Sequence, residues 1–541
     1  MLSKTRHLRT VLSLLIVHVC FLSVPLFAQN TSGTITGVVQ DATGAVIPGV
    51  QLTLVNQDQG VTARQTVTNE SGLYLFPSLP AATYTVTAEL PGFKTHKKTD
   101  IKLFVNDRLG LPAIVLEVGS QSDSVTVEAA TVQLETVSAE RSGVITGTQI
   151  ADIAINGRNF TSLFRTVPGA SADATGNPTI NGQRANQNNY TLDGQTLTDS
   201  GVNNPIGFGY RVSMDSIAEV KVSTTGQSAE FGRNSGAQIQ VATRQGTQSF
   251  HGGGYYFKRH EGWNANTFIN NRTNVPRQLY RFMNAGWNVG GPIYIPDKFN
   301  SDKSKLFFFV SQEWGRSRVP ANPQRITVPT DLERRGDFSQ SRDGSGVPVV
   351  VRDPSNGLPF PGNIVPPGRF NQYGSSVLAW LPKPNVTGQR DYNYESQVPN
   401  EDPSFDEVYR VDYNISNNWK AYVRVLRSHQ TQNRPYGRAD TSNSLGLTPF
   451  YAPTYGLTVA GNLTTIISPT MTNDFQFGKA RNGIPGNGPP EGSPYLRSVS
   501  NITIPLLYPN ADPTNLVPNF GFGGTGGPGN ATQFTRFAGT P

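Results

Sequence analysis

Long stretches in the second half of the chain alternate between apolar and polar side chains. Successive residues of a strand point to opposite faces, so this alternation predicts strands with one apolar and one polar face. Three stretches show it, at residues 281–293, 404–415 and 419–428. Their length of ten residues or more and their aromatic side chains favour a transmembrane β-barrel over a soluble sandwich.

The apolar and polar faces can be read residue by residue. In 404–415 the apolar face carries Phe405, Tyr409, Val411, Tyr413 and Ile415, and the polar face carries Asp406, Arg410, Asp412 and Asn414. In 419–428 Trp419, Ala421, Val423 and Val425 lie opposite Lys420, Arg424 and Ser428. In 281–293 Met283, Ala285, Trp287, Val289 and Ile293 lie opposite Asn284 and Asn288.

The connections between strands give an independent indication. We predict strands near residues 250–258, 281–293, 305–316, 404–415, 419–430, 453–467 and 470–481. The connections alternate between long (259–280, 317–403, 431–452) and short (294–304, 416–418, 468–469). Outer-membrane barrels combine long outer loops with short periplasmic turns. We therefore interpret residues 248–541 as part of such a barrel, and the 55 Gly, 39 Pro and 10% aromatic residues agree with a chain rich in strands and turns.

The first 28 residues predict export. Lys4, Arg6 and Arg9 precede an apolar run that ends at Ala28, which is the pattern of a signal peptide. Its removal takes away the only cysteine, Cys20, and leaves 42 Lys and Arg against 38 Asp and Glu. This balance gives no electrostatic reason to expect a nucleic-acid partner. No later segment has about 18 apolar residues in a row, so a membrane-embedded mature chain has to be a barrel.

Residues 29–118 predict a small antiparallel β-sandwich. Short alternating runs are separated by Gly, Pro, Asn and Asp, with Ile35, Val38, Val39, Leu52, Leu54, Leu73, Leu75, Tyr84, Val86 and Ala88 as candidate core residues. The order G-x-V-x-D-x-x-G-x-x-x-P-G-V followed by "ESGLYLFPSLPAATYTVTAELPGF" resembles the carboxypeptidase regulatory-like, transthyretin-like domain. The scattered histidines His96, His251, His260 and His429 lack zinc-ligand spacing, so we expect no metal, no cofactor and no enzymatic activity.

Residues 137–247 predict a mixed α/β unit. Ile150, Ile153, Phe160, Leu163 and Phe164 are candidates to pack on a small sheet. Asn181-Gly182-Gln183-Arg184, then Leu192-Asp193-Gly194, then Ile217-Ala218-Glu219-Val220 with Phe231-Gly232, Gly236-Ala237 and Ile239 to Thr243 resemble the plug domain of TonB-dependent outer-membrane receptors. Ser223-Thr224-Thr225-Gly226 and Asn181 depart from the usual plug pattern and fit the Oar-like branch with an extra N-terminal domain. The resemblance implies a plug inside the barrel.

The segment "DSVTVEA" lies in the predicted linker, residues 119–136. The resemblance implies a use for it, because a TonB-type periplasmic energy transducer can add an exposed strand to its own sheet. The candidate TonB box comprises Asp123, Ser124, Val125, Thr126, Val127, Glu128 and Ala129. The alternative is that the segment is the last strand of the preceding domain.

Together these features predict a mainly β chain with an N-terminal β-sandwich, a mixed α/β plug and the N-terminal part of a transmembrane antiparallel β-barrel. The resemblance implies an outer-membrane transporter that takes up a large or scarce solute, with its sandwich in the periplasm and with TonB, outer-membrane lipid and an unknown substrate as partners. A passive porin and a secreted or surface-attached adhesin of β-sandwiches are the rival functions. The substrate cannot be read from the sequence.

The number of strands limits how much barrel to expect. About seven strands are recognisable after residue 250, whereas a barrel that holds a plug has roughly 22. At the observed spacing a full set needs roughly 700 residues. We therefore expect an open sheet beside the plug, with the chain forming the front part of a longer receptor or a truncated product.

Overall fold

A computed structural model describes most of the chain in three consecutive β-rich units. The described residues are 31–121, 123–128, 138–172, 178–198, 210–232, 235–272, 274–319, 323–343, 346–389, 392–434, 450–468, 471–483, 496–505 and 517. The predicted signal peptide and Ala129 lie outside them.

The first unit is a sandwich of two sheets. Its strands are β1 (Gly33–Asp41), β2 (Gln51–Asn56), β3 (Val61–Val67), β4 (Leu73–Leu79), β5 (Ala82–Glu89), β6 (Thr95–Leu103), β7 (Arg108–Gly110), β8 (Ile114–Leu116) and β9 (Ser124–Glu128). In one sheet β1 pairs antiparallel with β4 and parallel with β7 and β8. The other sheet has the order β3-β2-β5-β6-β9, so that β9 forms its edge.

Most of the predicted sandwich core is confirmed, with one strand facing the other way. The buried side chains include Ile35, Val39, Leu52, Leu54, Tyr84, Val86 and Ala88. On β4, however, Tyr74 and Phe76 face the core, whereas Leu73 and Leu75 are 49% and 45% exposed. The run Leu-Tyr-Leu-Phe is apolar at every position, so alternation does not identify its inner face, and the larger rings fill the core.

The second unit, the plug, has a five-stranded sheet of order β10-β15-β16-β13-β14 and a two-stranded sheet of β11 and β12. Its strands are β10 (Arg141–Thr146), β11 (Ala170–Ala172), β12 (Pro178–Ile180), β13 (Asn189–Leu192), β14 (Gln195–Thr196), β15 (Ile217–Thr225) and β16 (Gln238–Thr243). Helix α1 (Gly147–Asp152) starts with a capping box between Thr146 and Gln149. Short 3-10 helices span Asn156–Arg158, Phe160–Thr166, Ala185–Gln187 and Met214–Ser216.

The plug core agrees with the sequence except at one residue. Ile150, Phe160, Leu163 and Phe164 are buried in one cluster with side chains of the plug sheet. Ile153, also a candidate to pack there, is 41% exposed because α1 ends at Asp152 and Ile153 already has extended backbone.

The third unit confirms the predicted strands. These strands and a small hairpin in the long connection are β17 (His251–Arg259), β18 (Arg281–Pro292), β19 (Leu306–Val319), β20 (Gln324–Ile326), β21 (Tyr394–Ser396), β22 (Asn400–Ser416), β23 (Trp419–Arg434), β24 (Phe450–Ser468) and β25 (Met471–Gly483). One antiparallel sheet of seven strands has the order β17-β18-β19-β22-β23-β24-β25. In the described residues its two outer strands do not pair with each other, so the barrel is open, as expected.

Helices are few and short. Besides α1 they are α2 (Phe268–Arg272), α3 (Gln372–Trp380) and α4 (Arg497–Ser500), with 3-10 turns at Glu261–Trp263, Glu333–Arg335, Pro361–Asn363 and Pro367–Arg369. Among the described residues, no helix has the length and apolar character needed to cross a membrane.

The sandwich should fold when excised, because its buried core cluster contains only its own residues. We expect residues 31–128 to unfold cooperatively in far-UV circular dichroism and to bind no stoichiometric zinc. Tyr84→Ala should remove about 3–5 kcal/mol of the free energy of unfolding, because it empties a fully buried position. The control Leu73→Ala, at an exposed position of β4, should cost less than about 0.5 kcal/mol. An unfolded fragment would contradict the expectation.

Candidate functional site

The seven-stranded sheet turns its polar face towards the plug. On β22, Asp406, Arg410 and Asp412 are buried, whereas Tyr409 and Val411 are about two-fifths exposed. On β18, Asn284 and Asn288 are 1% and 8% exposed, whereas Trp287 is 38% exposed. This is the arrangement of an outer-membrane wall, with apolar side chains outside and polar ones inside.

A tight turn of the plug places Asp193 against this wall. Asp193 and Gly194 both have positive φ, 45° and 80°, and connect the antiparallel strands β13 and β14. Two consecutive positive φ values are those of a type I′ turn, in which Asp-Gly is favoured. Thr243 of β16 then holds the Asp193 carboxylate, donating from its backbone N–H at 3.0 Å and from its hydroxyl at 2.8 Å.

Two arginines of the wall bind the same carboxylate. Arg424 donates from Nε to Asp193 Oδ2 at 3.0 Å, and Arg410 lies 3.4 Å from Oδ1. Arg424 is fully buried and also donates to the Leu192 carbonyl at 2.8 Å and to the hydroxyl of Thr458. We call Asp193, Thr243, Arg410 and Arg424 the plug lock.

A second set of contacts has the opposite polarity, with arginines on the plug and acids on the wall. Arg211 pairs with Asp406 at 3.3 Å. Arg158 pairs with Asp215 of the plug and lies 3.8 Å from Glu313 of the wall. Its guanidinium also lies over the Tyr255 and Phe257 rings, 4.7 and 4.3 Å from their centroids. Such stacking over aromatic faces stabilises a partly desolvated cation.

Glu313 has further hydrogen-bond partners. Tyr255 donates to it at 2.7 Å, Asn284 at 2.9 Å and the plug hydroxyl of Ser213 at 3.3 Å. The wall therefore meets the plug largely through hydrogen-bonded ion pairs. Two apolar wall side chains, Val408 and Leu426, also join the plug core. A polar contact of this kind can be hydrated when it opens, whereas an opened apolar contact exposes hydrophobic surface to water.

The sandwich is bound beside the short turns of the wall. Lys420, just after the turn between β22 and β23, donates to the carbonyl of Ala63 at 3.0 Å. Ser78 and Thr472 hydroxyls lie 3.1 Å apart, near the start of β25. Short turns are periplasmic in outer-membrane barrels, so the sandwich covers the periplasmic end of this part of the wall.

A buried charge cluster joins the sandwich to the plug. Lys221 of β15 is fully buried and donates to Asp107 of the sandwich at 2.7 Å, with Glu140 at 3.5 Å. Glu219, two residues earlier on the same face, accepts from the Val105 N–H at 2.5 Å. We call these five residues the clasp. Burial raises the pKa of Glu219 to about 8, and the nearby Asp107 carboxylate adds to the rise.

The three units line a partly open cavity of about 130 Å³. Arg64 of the sandwich, Asp193 of the plug and Arg410, Lys420 and Tyr422 of the wall are among the residues that line it. The cavity thus lies between the plug lock and the sandwich, and charged side chains from all three units face it.

The segment 123–129 lies at the edge of the sandwich. Ser124–Glu128 is β9, which pairs in parallel with β6 from Thr95↔Ser124 to Thr99↔Glu128. Asp123 precedes the strand in a turn. Val127 is 41% exposed, and none of the β9 side chains that the structure describes belongs to the sandwich core. The strand is thus accessible, and it is attached to the sandwich chiefly by backbone hydrogen bonds.

Sequence reasoning identified Asp193, Glu219 and Thr243 only within motifs, and it missed their partners. Arg410 and Arg424 were assigned to the polar faces of their strands, without roles. The sequence feature that indicates such a partner is a charged residue on the inner face of an amphipathic strand, since a buried charge needs a counter-charge. Among the described residues, no group of three His, Cys, Asp or Glu side chains is placed to hold a metal ion.

Asp193→Asn tests the plug lock. The change keeps the size of the side chain but removes the charge between two buried guanidinium groups, so we expect a loss of about 3–5 kcal/mol in the free energy of unfolding. Urea titration in detergent measures it. The control is Asp331→Asn, whose carboxylate pairs with Lys383 at an exposed position and should contribute less than about 1 kcal/mol. Equal costs for both variants would refute the lock.

The clasp should weaken as pH rises. The pKa of Glu219 in the docked state, about 8, exceeds its ordinary value of 4.5, so the stability that this group contributes is complete below pH 4.5 and is lost as pH rises through about 8. Hydrogen exchange of the Val105 amide, corrected for its intrinsic rate, measures this. Glu219→Gln should remove the pH dependence, because Gln keeps the acceptor without titrating. The same dependence in both proteins would contradict the assignment.

Comparisons with known proteins agree with this architecture. Residues 242–540 match the outer membrane beta barrel domain, residues 135–237 the TonB-dependent receptor plug domain, and residues 34–117 the carboxypeptidase regulatory-like domain. The TonB-dependent transporter Oar of Myxococcus xanthus is 29% identical over 314 residues, which cover 52% of this chain and 26% of that protein.

Solved structures give weaker matches. The Escherichia coli outer membrane transporter YddB matches with a TM-score of 0.39 and 12% identity, over 63% of this chain and 39% of that one. A mutant form of the Pseudomonas aeruginosa ferric enterobactin receptor PfeA matches with a TM-score of 0.37 and 13% identity, over 64% of this chain and 41% of that one.

The chain thus spans about a quarter of the curated relative and about two-fifths of the solved transporters. The barrel-domain match extends over more than half of the chain, and the plug and sandwich matches precede it in the order found in the structure. The chain belongs to the family of the outer membrane beta barrel domain, and it carries a TonB-dependent receptor plug domain and a carboxypeptidase regulatory-like domain before that barrel.

Proposed function

We propose that this chain takes part in energised uptake of a large or scarce solute across the outer membrane. The solute binds the outer loops and the upper surface of the plug. A TonB-type periplasmic transducer engages residues 123–129 and pulls, and the plug then loosens from the wall. No covalent chemistry is needed. The observation that carries the proposal is the buried plug lock, in which the Asp193 carboxylate lies between Arg410 and Arg424.

The plug lock suits a seal that must hold and also open. Buried ion pairs are costly to break one partner at a time, because each leaves an unpaired charge. A buried ion pair is, however, no more stabilising than apolar packing of similar volume. The two partners can therefore separate when water hydrates both of them. An applied force that admits water along the plug therefore opens the seal without exposing a large apolar surface.

The sandwich adds a second barrier on the periplasmic side. It contacts the wall at Lys420 and the plug at the clasp, so a solute that passes the plug meets the sandwich next. We propose that transport requires the clasp to open as well as the plug lock. The cavity of about 130 Å³ between them, which charged side chains of all three units help to line, would hold water during this passage.

Deleting residues 123–129 should abolish energised uptake, while the solute still binds at the cell surface. Replacing the segment by seven Gly and Ser residues should have the same effect, because the spacing is kept but the strand is lost. Thr126→Val, which keeps β-propensity, serves as the control and should transport normally. Uptake at the wild-type rate in the deletion would exclude the segment as the site of coupling.

The same assay separates this function from its rivals. A protonophore should stop uptake by the wild-type protein as completely as the deletion does. A passive porin would be insensitive to both treatments. An adhesin made of soluble sandwiches would migrate identically in unboiled and boiled detergent gels, whereas a folded outer-membrane barrel shifts on boiling.

A further inference from the structure

Within the described residues, strand β9 is hydrogen-bonded along one edge, which faces β6. The N–H of Thr95 donates to the carbonyl of Asp123 at 2.9 Å, and Thr95 is the register partner of Ser124. In a parallel ladder, alternate residues direct both backbone groups to the neighbouring strand. This register therefore directs the N–H and C=O groups of Val125 and Val127 to β6. The same groups of Ser124, Thr126 and Glu128 point to the other side.

The other side of β9 is an open edge. In the described part of the chain, β9 ends the order β3-β2-β5-β6-β9, and no strand pairs with its outer side. Proteins usually protect such an edge with proline, lysine, a bulge or a covering element. Ser-Val-Thr-Val-Glu contains no proline or lysine, and its pairing with β6 runs without a register shift. An unprotected, β-prone edge is a template for an added strand.

Side chains around this edge leave room for a partner. Ser124 and Thr126 are exposed, Val127 is 41% exposed, and none of them contributes to the sandwich core. A strand that pairs with the open edge therefore displaces no packed side chain. Removing β9 from β6 would, in contrast, break backbone hydrogen bonds that the sandwich already makes, and their loss opposes binding.

We propose that the periplasmic transducer adds its strand to the open edge of β9 while β9 stays paired with β6. The sandwich sheet then gains a sixth strand, and the sandwich itself becomes the docking platform. This inference rests on the transducer function proposed above. It specifies that force enters the protein through a folded domain, which the clasp connects to the plug, as well as through residues 129–137.

A disulfide between β6 and β9 tests whether the strand must be released. Lys97 and Thr126 are register partners on adjacent strands, at a spacing that a disulfide can bridge. Lys97→Cys with Thr126→Cys, in a chain whose Cys20 is replaced by Ser, should bind the purified periplasmic domain of the transducer within about twofold when oxidised or reduced. Loss of binding on oxidation, restored by reductant, would overturn the proposal in favour of displacement.

A pair of proline variants tests which edge is used. Thr126→Pro removes an N–H from the open edge, where proline is compatible with an edge strand, so the sandwich should stay folded and transducer binding should weaken by at least about tenfold. Val125→Pro removes an N–H bonded to β6 and loosens β9 from the sandwich, so it should also weaken binding, because the added strand needs β9 in the sheet. Binding that Thr126→Pro leaves unchanged, or that Val125→Pro strengthens, would overturn the proposal.

The deletion of residues 123–129 separates this inference from the function on which it rests. If the deletion leaves transducer binding intact, both the segment assignment and the edge proposal fail. If the deletion abolishes binding and the oxidised disulfide variant also fails to bind, only the edge proposal fails. A concentration-dependent dimer in light scattering that Thr126→Pro dissolves, without any transducer binding, would assign the edge to a second copy of the chain and overturn the proposal.

Discussion

The hydrocarbon layer of the outer membrane dictates much of this structure. A strand that faces lipid must have its backbone hydrogen bonds satisfied by its neighbours and must show apolar side chains to the lipid. Alternation then places most polar side chains of the strand on the inner face, as with Asp406, Arg410 and Asp412 of β22. Glu407 is an exception on the outer face, where it pairs with Arg427. These inner charges need partners, and the plug supplies them with Asp193 and Arg211. The contact between plug and wall is therefore polar because the outer face of the wall must be apolar.

Much of the fold could be predicted because alternation is a local signal. All seven wall strands were found within a few residues of their bounds in the structure. The same signal fails where both faces of a strand are apolar, as on β4, where Tyr74 rather than Leu73 is buried. It also cannot decide whether a β-prone segment pairs: Ser124–Glu128 has the composition of a strand whether it lies in a linker or at a sheet edge.

The partners in the site could not be predicted because they are distant in sequence. Asp193 and Arg424 are 231 residues apart, and their contact depends on how the plug lies within the wall. The same holds for the clasp, in which Lys221 and Asp107 are 114 positions apart in the sequence. Sequence alternation shows only that Glu219 and Lys221 share one face of β15. The opposite face carries Val220 and Val222, which pack in the plug core. The charged face is therefore buried against a different unit, the sandwich, where Lys221 pairs with Asp107.

The clasp and the plug lock are neighbours within one sheet. Glu219 of β15 is paired with Ala242 of β16, and the next residue of β16 is Thr243, which holds the Asp193 carboxylate. A displacement of the sandwich that carries Glu219 with it therefore acts on the strand adjacent to Thr243. If Thr243 moves, Asp193 loses two of its hydrogen bonds and its fixed position between the wall arginines. Under the proposed function, pulling on the sandwich would thus weaken the plug lock through the two paired strands β15 and β16.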